Sequence, residues 1–248
     1  MQEVNKNFHE QAGFLKIIEE RGYEIVSAAV KQTHRAKTDK KPVETKDCLI
    51  AYDKIKFKLI GSAITPGNAL FVDLIHSPTN QCIRVVSDHV QGFNSQACLN
   101  DPELMKNYAA AGDEDLINSV YSVDQVANGI YQKFLTNIPI SVIYCLDSNT
   151  TKDNTLHTLH PDRLKILEEN GFVTDVTDVN PTIMDASLNL PFKFDYIFAK
   201  NASVTNVDLI FENSLKELST IKGEKGINFM SLHMSDHLPI ISRIEINK

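Results

Sequence analysis

Across residues 5–21 the apolar positions Phe8, Leu15 and Ile18 recur near the 3.6-residue period of a helix, and Gly22 follows. Glycine enters the left-handed conformation that ends many helices at little cost, so a helix closing at Gly22 is predicted. Short runs rich in β-branched and aromatic residues predict buried strands at 48–52, 70–75, 82–86, 141–146, 194–198 and 239–246. Helical segments are predicted between some of them, at 113–135 and 161–170. The second has Pro161 at its start and Gly171 just past its end, the usual asymmetry of helix termini. Strands interleaved with helices predict an α/β chain in which both kinds of element share one domain, residues 1–248.

The pattern contains an echo. The segment from Leu15 to Tyr23 nearly repeats from Leu164 to Phe172, each copy ending in glycine and then an aromatic residue. Ser-Asp-His follows both, 67 positions after Gly22 at His89 and 66 positions after Gly171 at His237. Each copy is preceded by an acidic residue, Glu3 or Asp147. Two related halves packed face to face, with the site between them, are one reading; two amphipathic helices built from the same common residues are the other.

Composition narrows the class. The chain has 248 residues, 42% apolar and 23% charged, enough for a large core. No run approaches the roughly 18 apolar residues of a membrane span, and the polar N-terminus lacks the regions of a signal peptide. As given, the chain is expected to be soluble and cytoplasmic; a monomer is also expected. Cys48, Cys82, Cys98 and Cys145 show no CxxC spacing, and packing as free buried thiols is expected. A formal charge of −7 argues against tight binding to duplex DNA, which depends on many cationic contacts to phosphate. The one basic run, 31–41, includes Lys31, His34, Arg35, Lys37, Lys40 and Lys41; it reads as a solvated loop or, with Arg35 as a candidate contact, a loop that steers phosphate.

Candidate chemistry lies where acids interrupt apolar runs. After the strand ending at Leu146, alternation points Asp147 and Asn149 the same way, so a carboxylate and an amide can grip one water or phosphate oxygen; a polar turn after a strand explains them almost as well. Asp195 stands inside Phe194-Asp195-Tyr196-Ile197-Phe198, where an unpaired charge would cost several kcal/mol, so it requires a partner. Asp236-His237 offers one, because a carboxylate fixes an imidazole's tautomer and raises its basicity. His157 and His160, three apart before a helix, are read as a helix entrance rather than metal ligands, and His76 and His233 stand in no motif.

Taken in order, Gln2-Glu3-Val4, Ser87-Asp88-His89-Val90, Leu146-Asp147-Ser148-Asn149, Phe194-Asp195-Tyr196 and Ser235-Asp236-His237-Leu238-Pro239 resemble the endonuclease/exonuclease/phosphatase superfamily, which includes deoxyribonuclease-I-like nucleases. The resemblance runs from Gln2 to Ile240 and implies a four-layer α/β/β/α sandwich of two packed mixed sheets with outer helices. It implies Mg²⁺ or Mn²⁺ held by Glu3 and Asp236, and His237 held by Asp195. Asp147 and Asn149 would orient water and phosphate, and His89 would bind or protonate phosphate oxygens. The implied activity is a phosphodiesterase of nuclease type. Alternatives are a phosphomonoesterase on phosphoinositides or nucleotides, a sphingomyelinase-like phosphodiesterase, or an inactive binding module that keeps the fold. Leu146 stands where the family usually has glycine before the aspartate. The family also begins with a strand carrying a metal-associated asparagine ahead of the glutamate. On the resemblance, the chain is thus expected to lack its first strand, with Met1 internal to a longer protein whose own N-terminus would carry any export signal.

Overall fold

The computed structural model describes residues 12–31, 45–90, 102–131, 140–150, 163–174, 182–185, 190–209, 237 and 240–246. In chain order its elements are α1 (Ala12–Glu20), β1 (Tyr23–Lys31), β2 (Thr45–Asp53), β3 (Phe57–Ile64), β4 (Leu70–His76), β5 (Gln81–His89), α2 (Pro102–Tyr131), β6 (Ser141–Asp147), α3 (Lys165–Glu169), β7 (Val173–Thr174), β8 (Ile183–Asp185), β9 (Leu190–Phe192), β10 (Asp195–Lys200), β11 (Ala202–Leu209) and β12 (Ile240–Ile246). The fold is α/β, as the alternating pattern predicts. All six predicted strands are present, at 239–246 beginning with Ile240, while β1, β3, β11 and the short strands β7, β8 and β9 escaped the sequence reading. The predicted helix at 113–135 starts earlier, at Pro102, and the one at 161–170 shrinks to five residues.

A six-stranded sheet, ordered β3-β4-β5-β6-β10-β7, organises the rest. Its neighbours are antiparallel except β5 and β6, which run parallel. A parallel pair needs a long crossover, and α2 lies within it. On one sheet face Leu116, Val120 and Val123 of α2, spaced four and then three residues apart, pack with Leu164, Leu167, Phe71, Val86, Tyr144, Leu146, Tyr196 and Phe198. The other face receives the antiparallel β1–β2 pair, where Cys48, Ile50 and Tyr52 meet Leu70, Val72 and Leu74. Covered on both sides, β4 is buried from Leu70 to Leu74, which explains an apolar run broken only by the buried Asp73. Asp73 accepts two hydrogen bonds from Arg84 of β5, at 2.7 and 2.8 Å, and Arg84 also donates to Val123 O at 2.5 Å.

Cys48 and Cys82 are buried and Cys145 partly so, each a thiol rather than half of a disulfide; burial and the nearby Asp73 carboxylate push Cys82 up to about 11. Cys98 lies outside the described residues. His76 is explained by packing, since its ring leans on Phe57 and its Nδ1 meets Thr79 Oγ1 at 2.8 Å. Among the described residues no helix is long and apolar enough to cross a membrane.

The two echoed segments share a helix, a glycine at positive φ (Gly22 +87°, Gly171 +80°) and a following strand. Their surroundings then diverge. β1 belongs to the two-stranded pair, whereas β7 is a two-residue edge of the large sheet. His89 ends a strand, whereas His237 precedes one and makes an isolated bridge to Ile183.

Candidate active site

Strand register brings three predicted residues to one end of the central sheet. His89 closes β5 and Asp147 closes the parallel β6, so they are direct partners; Asp195 opens the antiparallel β10 and is Asp147's partner on its other side. All three project away from the helices, because their neighbours Asp88, Leu146 and Tyr196 are buried on the helical face. Alternation in each strand therefore sends an apolar or internally paired side chain down and a polar candidate residue up.

His237 comes to this place from far along the chain. Its Nδ1 donates to Asp195 Oδ2 at 2.8 Å, which puts the neutral ring's proton on Nδ1 and turns Nε2 toward Asp147, 3.8 Å from Oδ2. His89 Nε2 lies 3.4 Å from the same oxygen. Asn149 Nδ2 donates to Val90 O at 2.9 Å and meets His89 Nε2 at 3.0 Å. A carbonyl can only accept, so the amide's NH₂ end faces His89, whose Nε2 is then the acceptor.

Asp147 and Asn149 converge, but by a different route from the strand alternation predicted from sequence. β6 ends at Asp147, and Asn149 takes a left-handed backbone with φ +46°. Its N–H donates to Asp147 Oδ1 at 3.0 Å, a local turn for which asparagine is suited. The polar turn read from the sequence is therefore present, and it brings both side chains beside His89.

Two supporting residues were missed. Buried Thr182 accepts at Oγ1 from the N–H groups of both Phe194 and Asp195, each at 3.0 Å, and so fixes the start of β10. The next residue, Ile183, makes the bridge to His237, so one segment braces both members of the His-Asp pair. Buried Ser148 donates N–H to Phe194 O at 2.8 Å, tying the turn after β6 to β10. Ser148 stands inside the motif read from sequence but points inward; Thr182 lies in a polar stretch with no local signal.

Beneath the site, Tyr144 donates to Asp88 Oδ2 at 2.5 Å. Burial pushes the Asp88 carboxyl up to about 7, opposed by that hydrogen bond, and drives Tyr144 well above its ordinary value.

Glu3, Asp236 and Arg35 lie outside the described residues, as do His157, His160 and His233. Asp147, Asp195 and His237 present ligand atoms within 4.8 Å of one another. Two carboxylates in that set fit a hard divalent cation, although Asp195 Oδ2 and His237 Nδ1 are already bonded to each other.

No protein-family model matches the chain, and no curated protein matches it. Solved structures do. The catalytic domain of human Nocturnin, solved with a bound sulfate anion, matches with TM-score 0.58 and 15% identity over 99% of this chain and 79% of its own. An endonuclease/exonuclease/phosphatase from Bacteroides vulgatus matches with TM-score 0.57 and 14% identity, covering 100% of this chain and 84% of its own. A protein described as of that family from Bacteroides thetaiotaomicron gives TM-score 0.51 and 12% identity, over 94% and 77%. What survives at such low identity is the path of the backbone, and by that path this chain has the endonuclease/exonuclease/phosphatase fold.

Proposed function

We propose that this protein is a divalent-metal-dependent phosphoesterase, and specifically a phosphodiesterase of nuclease type. The observation that carries the reading is the convergence of two imidazoles on one buried carboxylate, with one of those rings held from behind by a second carboxylate at 2.8 Å. That arrangement serves to hold and move protons beside an anion and has no role in filling a core. The Nocturnin domain's sulfate, a tetrahedral oxyanion like phosphate, supports the same class of ligand.

In this proposal Glu3 and Asp236 would hold Mg²⁺ or Mn²⁺, which would supply positive charge to the phosphate oxygens. Asp147 accepts a hydrogen bond from the attacking water. Asn149, with its NH₂ group engaged by Val90 O and His89, offers Oδ1 as a second acceptor for that water. His237 holds a proton at Nε2 for a phosphate oxygen, and Asp195 compensates the charge of the ring. His89 stands beside the same carboxylate, its ring set by Asn149. The single-domain organisation and the four-layer sandwich belong to the same proposal.

A panel of a generic phosphodiester, single- and double-stranded DNA, RNA and inositol phosphates, assayed with Mg²⁺ or Mn²⁺ and with chelator, tests it. Metal-dependent turnover that His237→Ala abolishes is expected. Turnover that survives both the substitution and the chelator would sink the mechanism. Preference for the inositol phosphates would replace the diesterase reading with a monoesterase one.

A further inference from the structure

Arg163 belongs to no motif, yet its side chain is 3% exposed. Its Nη1 donates to Ser148 O at 2.7 Å and its Nε to Asp113 Oδ1 of α2, also at 2.7 Å. The Ser148 carbonyl is one end of a peptide group whose other end, the Asn149 N–H, donates to Asp147 Oδ1 at 3.0 Å. That single peptide is therefore held at both ends, by a guanidinium below and by the Asp147 carboxylate above. It leads directly into Asn149, whose left-handed backbone needs support.

The helix is shaped to admit the guanidinium. A Cβ on Gly112 would stand 2.5 Å from Arg163 Nη2 and 3.0 Å from Val90 Cγ1. Val90 in turn supplies the carbonyl that fixes the Asn149 amide, at 2.9 Å. Gly112, Asp113 and Arg163 thus meet the turn from the helical side, opposite the face on which substrate would sit.

We propose that Arg163 is a positioning residue for the reaction: braced by Asp113 in the space left by Gly112, it orients the Asp147 carboxylate and the Asn149 amide through the peptide between Ser148 and Asn149. The inference rests on the phosphoesterase reading of that turn. Polarising the carbonyl of a peptide strengthens its N–H as a donor, so the guanidinium also reinforces the bond to Asp147. A rigid planar fork can serve Asp113 and Ser148 O at once; a lysine ammonium carries the charge without that geometry.

Arg163→Met is compared with the parent by steady-state kinetics and by amide hydrogen exchange. A fall in kcat of roughly 10- to 100-fold is expected, with KM within about twofold of the parent. Exchange of the Asn149 amide is expected to quicken about tenfold or more while Val142 and Tyr144 in β6 stay unchanged. Arg163→Lys should fall between the two proteins in both measurements, and it replaces the methionine variant if that one does not fold. The inference is overturned if Asn149 exchange is unaltered, or rises only together with the β6 amides. If the parent hydrolyses no phosphate ester, the proposed function fails, and the exchange comparison still decides the role of Arg163.

Discussion

Asp195 and Asp88 show how differently carboxylates are used on the two faces of one sheet. Asp195 meets the mouth and spends its charge on His237. Asparagine at that position keeps the shape but presents no anion to the imidazole, so Asp195→Asn is expected to lower kcat about a hundredfold or more, at little cost in KM. A kcat within a factor of two of the parent would remove the pair from the chemistry. Asp88 faces the helices and bears the cost of burial, with a carboxyl moved from 3.8 to about 7. Between those values the folded protein holds a proton that the unfolded chain releases, so stability falls as pH rises through the window. Asp88→Asn keeps an acceptor for Tyr144 and has no charge to bury. Its stability relative to the parent should therefore improve between about pH 5 and about pH 8, as thermal unfolding at both would reveal. A difference that is constant with pH would contradict the titration.

Among elements, β4 and β5 are joined by more than their ladder, since Arg84 binds Asp73 at two points, reaches Val123 O in α2 and lies 4.2 Å from the Phe71 ring. Removing one partner leaves the other charge buried, so Arg84→Met should destabilise by about 3–5 kcal/mol. Adding Asp73→Leu should recover much of that loss, because an apolar pair leaves no charge unmet. Denaturant titration of the single and double variants measures it, and equal losses would deny the coupling. The same strands show what was legible in sequence. β4 announces itself as an apolar run broken only by Asp73, because both its faces are covered, and β6 as the apolar run from Val142 to Leu146. β3 is interrupted by Gly61 and a register shift, β1 by small residues, and β11 by polar ones, so neither period nor composition marks them. The acids of the site were legible because Asp147 and Asp195 stand beside apolar runs that cannot leave a charge unpaired. Thr182, Ser148 and Arg163 were not, because their roles depend on which strand lies alongside which, and on a helix contributed from another part of the chain.

For the molecule as a whole, the net charge of −7 and a mouth carrying two carboxylates set the terms for large anionic partners. Binding to duplex DNA should be weaker than about 10⁻⁴ M at physiological salt, as measured by fluorescence anisotropy of a labelled duplex. Tighter, strongly salt-dependent binding would locate a cationic surface that overrides the net charge. The site is also a property of the assembled chain rather than of any segment, because its described residues extend from His89 to His237 and meet through strand pairing and, for His237, through the bridge to Ile183 and the bond to Asp195.

That dependence on pairing has a sharp corollary for β5. His89 faces the mouth and Asp88 the helices solely because each strand residue turns its side chain opposite to the last. One extra residue inserted near Gln81, with the pairing to β6 otherwise kept, would carry Asp88 into the place of His89 opposite Asp147 and set Ser87 beneath Tyr144. The mouth would then gather Asp88, Asp147 and Asp195, three acids with one imidazole fewer to answer them. Such a surface would trap cations and turn anionic esters away, so a single step of strand register separates two opposite binding preferences in the same fold.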